Sequence, residues 1–135
     1  MAGPLSKVVL AYEAAMRAIV ASVVASGAGP DSAGVDWSPL AEFVAVGEFE
    51  RVGTWMEVSD WARYTAFLTR WASASAGFDT VIRRVREVGK LVYLEVEEHH
   101  ARPGGQTDVV NSLSVYEFTG EGKIRRLDVY LQQPR

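Results

Sequence analysis

LVYLEVEEHHARPGGQTDVVNSLSVYEFTGEGKI, residues 91–124, decides the fold. Its valines, leucines and tyrosines recur in steps of two, interrupted at Pro103-Gly104-Gly105 and again from Gly120 to Gly122. A period of two belongs to strands with one buried face, and glycine-bearing interruptions of this length are hairpin turns. The pattern extends back to Gly77, with Gly89 marking another turn, and forward past Ile124. Four antiparallel strands in a meander are therefore expected in the second half of the chain.

The first half has a different period. Leu5, Val8, Val9, Tyr12, Met16, Ile19, Val20 and Val23 recur in steps of three and four, with Lys7, Glu13 and Arg17 elsewhere on the wheel. This is the pattern of an amphipathic helix. GAGPDSAG, from Gly27 to Gly34, reads as a loop. Ser38-Pro39 supplies an N-cap and first-turn proline for a short helix through Leu40, Phe43 and Val44, ending near Gly47. A short strand follows at Glu48 to Val52, then a loop with the exposed-looking pair Trp55 and Met56. Ser59 or Asp60 caps a third helix with a stripe of Trp61, Tyr64, Leu68, Trp71 and Ala72, and Gly77 is placed to close it.

With 135 residues, one domain spanning 1–135 is expected. The 48% hydrophobic and 23% charged content is that of a globular chain. Fourteen basic and 17 acidic residues are mixed along the sequence, and the net charge of −3 offers no footprint for nucleic acid. The absence of cysteine excludes disulfides, thiolate metal sites and a cysteine nucleophile, and fits a reducing cytoplasm. The apolar run from Ala18 to Ala28 is shorter than the roughly 20 residues of a membrane span and reads as a buried helix, so no membrane partner is expected. No glycine-rich phosphate loop follows a strand and opens a helix, so no nucleotide cofactor is indicated.

Helix, helix, short strand, helix and long hairpins form an order that suits a curved antiparallel sheet with helices over one face. With Val8-Val9-Leu10-Ala11-Tyr12-Glu13-Ala14-Ala15 at the start and Tyr116-Glu117-Phe118-Thr119-Gly120-Glu121-Gly122-Lys123-Ile124 in the last hairpin, the chain resembles the nuclear transport factor two superfamily. That superfamily includes ketosteroid isomerases, SnoaL-like polyketide cyclases and limonene-type epoxide hydrolases. The resemblance spans nearly the whole chain. It implies an α+β, cone-shaped, cystatin-like fold whose curved antiparallel sheet is covered on its concave face by about three helices. It also implies a cavity between them for a small, largely apolar molecule, no cofactor, and a homodimer. The implied activities are cofactor-independent isomerisation, cyclisation or hydration; the alternative is a non-catalytic ligand-binding or dimerisation module.

Residue by residue, the resemblance carries over in part. The oxyanion-binding tyrosine of the isomerases matches Tyr12, but their protonated aspartic acid falls at Ser114 and their general base has no match near Glu50 to Val52. Cyclases and epoxide hydrolases keep an aspartate on the last strand, facing the cavity. Counted from Gly122-Lys123-Ile124, that place holds Val129, with Asp128 one residue off and facing the other way unless a bulge intervenes. The acids of Glu95-Val96-Glu97-Glu98 lack the arginine that the hydrolases place between carboxylates.

Strand parity supplies the other candidates. Leu127, Val129 and Leu131 share one face of the last strand and are expected to line the interior. Glu98 and His100 share the face of Val92, Leu94 and Val96, either as an acid–base pair at the cavity mouth or as a solvated hairpin end. Ser112, Ser114 and Tyr116 give a polar strip on one face of their strand. Trp61 and Tyr64 are expected between core and pocket. The candidate catalytic set is thus Tyr12, Glu98 and His100, and the candidate lining is Trp61, Tyr64, Leu94, Val96, Ser112, Ser114, Tyr116, Leu127, Val129 and Leu131. His99 and His100 face opposite ways, and no metal motif is present.

Overall fold

The computed structural model describes residues 3–27 and 34–134. The loop expected from Gly27 to Gly34 falls, for residues 28–33, outside the described residues. Helix α1 (Pro4–Ser26) begins on a first-turn proline and ends at Gly27, whose φ of 64° is the left-handed conformation that glycine adopts without strain. One stripe of α1, with Val9, Tyr12, Met16 and Val20, is buried. By length and composition α1 is also apolar enough to cross a membrane, a test that core helices pass as well.

Helix α2 (Ser38–Ala41) is only four residues long and stops well before Gly47. Ser38 does not cap it; Trp37 holds that position without a side-chain bond, and Asp36 Oδ1 accepts from the Ser38 N–H at 2.9 Å. The chain leaves the helix early because Phe43 and Ala45 bond the backbone of Ile124. Helix α3 (Trp61–Ala74) is capped by Asp60, which accepts from the Arg63 N–H at 2.9 Å. It ends on Ser75 in an extended conformation, and Gly77 opens the next strand instead of closing the helix.

Six strands form one sheet: β1 (Glu50–Val52), β2 (Val58–Ser59), β3 (Gly77–Val88), β4 (Leu91–Ala101), β5 (Thr107–Phe118) and β6 (Ile124–Gln132). The expected meander runs from β3 to β6, antiparallel throughout. The expectation of a cone-shaped, wholly antiparallel sheet is corrected. The order is β2-β1-β6-β5-β4-β3, β1 pairs with β6 in parallel, and the end strands β2 and β3 do not meet. The sheet is mixed and open, not curled or closed. The parallel pairing arises because the chain passes from β1 through α3 and the meander before β6 returns beside it.

The core lies between one sheet face and the helices. Val92, Leu94 and Val96 of β4, Tyr116 and Phe118 of β5, and Ile124 and Leu127 of β6 meet Val9, Tyr12, Leu40, Tyr64 and Leu68. Burying each of these larger apolar side chains is worth roughly 1.5–3 kcal/mol.

Candidate functional site

Part of that inner face is not filled. A cavity of about 590 Å³ lies between α1, α3 and the sheet, within the range of small-molecule sites. Phe67, Leu68 and Trp71 reach it from successive turns of α3, and Phe78 from the start of β3. Leu127, Val129 and Leu131 supply the sheet wall, on alternate positions of β6. Its rim includes the exposed residues Arg102, Pro103, Gln133 and Pro134.

Three sets of polar side chains stand out in this lining, alongside Ser75, Asp108 and Ser114. Glu13 of α1 accepts a short hydrogen bond from the Tyr116 hydroxyl of β5. Burial raises the Glu13 pKa above the ordinary glutamate value, against the lowering effect of that bond; nearby Glu98 adds to the rise and Arg17 opposes it. Tyr116 is pushed well above the usual tyrosine range by its own burial and then by the Glu13 carboxylate. Second, His100 Nε2 lies 2.8 Å from Glu98 Oε1, with the imidazole packed 5.1 Å from the Phe78 ring and 6.0 Å from Trp71. Third, Arg51 of β1 sets its guanidinium over the Tyr64 ring, 4.9 Å from the centroid.

A desolvated carboxyl group beside a phenol hydroxyl on a cavity wall is placed to take a proton from a bound molecule and to return it. Glu98 and His100 provide a second donor–acceptor pair in the same space. Among the described residues no three His, Cys, Asp or Glu side chains form a metal-binding group.

The structure distributes the sequence candidates unevenly. Glu98, His100, Tyr64, Ser114, Tyr116, Leu127, Val129 and Leu131 line this cavity. Tyr12, Trp61, Leu94, Val96 and Ser112 do not. Leu94, Val96 and Ser112 are buried in packing, because the helices cover the sheet at their positions. Trp61 packs edge-on against Phe49 at 5.2 Å. Tyr12 is sealed in the core, edge-on to Tyr116 at 5.9 Å, and its hydroxyl makes no hydrogen bond of good geometry. Burial, then the neighbouring Tyr64, pushes its phenol well above the ordinary range. Asp128 does not reach the cavity. The only register shift in the β5–β6 pairing lies between Glu117 and Phe118, so the pairing from Arg126 to Gln132 is regular and Asp128 stays on the far face, held by Arg126 Nε at 3.0 Å.

Glu13 and Arg51 were not among the sequence candidates. The wheel reading that set Glu13 away from the apolar stripe is corrected: Val9, Glu13, Met16 and Val20 follow steps of four, three and four, and the carboxylate reaches the cavity beside that stripe. Arg51 had no comparable signal, since its face is set by parallel pairing with Leu127.

The sequence matches no protein-family profile and no curated protein. Solved structures do match. IdmH from Streptomyces antibioticus, a proposed polyketide cyclase, is similar with a TM-score of 0.74 at 12% identity, over 96% of this chain and 93% of its own. TerC, co-crystallised with polyporic acid, matches with a TM-score of 0.73 at 15% identity, over 96% and 92%. An LEH-like epoxide hydrolase of M. tuberculosis matches with a TM-score of 0.66 at 17% identity, over 93% of this chain and 80% of its own. At such identities the likeness is one of fold.

Proposed function

The chain has the fold of the SnoaL-like proteins of the nuclear transport factor two superfamily, and on that premise we propose that it binds a small, largely apolar metabolite and moves a proton on it without a cofactor. The observation that carries this reading is Glu13, a carboxyl of raised pKa that accepts from Tyr116 inside a cavity with mainly aromatic and aliphatic walls. In this reading the Glu13 carboxylate takes a proton from a carbon next to a carbonyl. The C–H electron pair becomes a C=C bond as the carbonyl π pair moves onto oxygen to give an enolate. Where another C=C adjoins that carbon, the proton returns from Glu13 to its far end, the double bond shifts into conjugation and the carbonyl re-forms, which completes an isomerisation. If the enolate carbon instead attacks a second carbonyl of the same molecule, a ring closes and the proton goes to the new alkoxide. In this reading Glu98 and His100, which line the same cavity, make that second proton transfer.

Native mass spectrometry of gently purified protein, followed by denaturing extraction, tests the binding part. A co-purified apolar molecule with a carbonyl group is the expected result. Turnover of that molecule by the wild type and its loss in Glu13→Gln, with binding retained, separates catalysis from a non-catalytic ligand-binding module. Equal turnover in both proteins would overturn the role of Glu13.

A homodimer is part of the same proposal. It is supported by the uncovered sheet face, where Val81, Val109 and Tyr130 are exposed. A cytoplasmic setting is proposed from the lack of cysteine.

A further inference from the structure

Arg51 stands in a cross-strand row. It pairs with Leu127 of β6, which pairs with Tyr116 of β5, so Arg51 shares the inner face with the tyrosine that holds Glu13. Its guanidinium carbon is 4.9 Å from the Tyr64 ring centroid and 5.8 Å from that of Phe67. Its guanidinium lies within hydrogen-bonding reach of the Tyr64 hydroxyl, and its Nε, shut off from solvent, is left without an acceptor of good geometry. Among the described residues Arg51 forms no ion pair, whereas Arg102, the other arginine on this cavity, is paired with Asp108. The two glutamates of the cavity are engaged elsewhere, Glu13 by Tyr116 and Glu98 by His100.

A guanidinium on a cavity wall, set against two aromatic rings and in no ion pair among the described residues, keeps N–H donors for a ligand. An anionic oxygen is the acceptor that such a donor binds most strongly. The flat faces of Tyr64 and Phe67 beside it favour a ring system attached to that oxygen. We infer that the cavity selects organic anions: a flat apolar body carrying one carboxylate, enolate or phenolate oxygen, which Arg51 binds through the guanidinium it presents to the cavity. This rests on the small-molecule reading above and names the substrate class for it. The anionic oxygen and the Glu13 carboxyl then occupy different parts of one cavity, so Arg51 would hold charge on oxygen while Glu13 handles the proton.

The test compares two probes of the same shape, 2-naphthoate and neutral 2-naphthamide, by isothermal titration calorimetry on the wild type, Arg51→Gln and Arg51→Lys. The naphthoate is expected to bind the wild type about tenfold or more tightly than the amide, as one charge-assisted hydrogen bond in a partly dry site provides. Arg51→Gln is expected to lose that preference with amide binding unchanged, and Arg51→Lys to keep part of it. Circular dichroism melts identify a variant that fails to fold, and the wild-type comparison stands without it. Equal binding of the two probes by the wild type, or a preference that survives Arg51→Gln, would overturn the anion site and leave the pocket reading intact. No binding of either probe at millimolar concentration would overturn both.

Discussion

The Tyr116 hydroxyl donates to the Glu13 carboxylate across 103 positions of sequence, joining the middle of α1 to the sheet at the wall of the cavity. Neither group has a cheap alternative. Tyr116 is almost wholly buried, and the Glu13 carboxyl is desolvated. The bond therefore positions the candidate proton carrier and anchors the helix that bears it.

Tyr116→Phe removes the donor and leaves a carboxyl group in a dry setting. A loss of about 1–3 kcal/mol is expected, read from the urea midpoint. Because the Tyr116 bond lowers the Glu13 pKa, its loss raises that pKa further. The destabilisation should accordingly be larger at pH values where Glu13 is ionised than in acid. A loss that does not change with pH would mean that packing alone is being measured.

Glu13→Gln tests the same group through linkage. The folded-state pKa of Glu13 is raised, so its contribution to stability is fully present below the ordinary glutamate value and is lost as pH rises through the raised value. Glutamine keeps an acceptor for Tyr116 and cannot ionise. Relative to the wild type, the variant should gain melting temperature steadily from acid toward neutral pH. A constant difference across that window would contradict the raised pKa.

Asp128→Asn is expected to leave ligand binding in the cavity unchanged. The carboxylate lies on the far sheet face and is held by Arg126 at 3.0 and 3.2 Å, a part-exposed pair worth about 1 kcal/mol or less. A titration with the extracted ligand checks it, and a weakening beyond twofold would place Asp128 in the site after all.

The proposed dimer uses the sheet face that the helices leave uncovered. A mass of twice the monomer is expected in light scattering at micromolar concentration. Tyr130→Glu should return it to a monomer, since a charge set into an apolar contact costs several times what the contact contributed. A wild-type protein that stays monomeric at high concentration would exclude this use of the face.

Most of the fold was legible in the sequence because it rests on local periodicity. Steps of three and four marked α1 and α3, steps of two marked β3 to β6, and Asp60 and the glycine turns marked several of their ends. Parity along β6 is equally local, and it sufficed to set Leu127, Val129 and Leu131 on the opposite face from Asp128. What depended on partners distant in the chain was not legible. The parallel pairing of β1 with β6, the strand order that leaves β2 and β3 at opposite edges, and the early end of α2 at the backbone of Ile124 are set by segments far apart in sequence. The same holds for the site. Side-chain direction along one strand follows from alternation, but whether an inward residue meets packing, as Leu94 and Ser112 do, or open space, as Ser114 does, depends on which helix covers it. A carboxylate on α1 and an arginine on a three-residue strand become one site only when the sheet brings their elements together, and no local pattern encodes that distance.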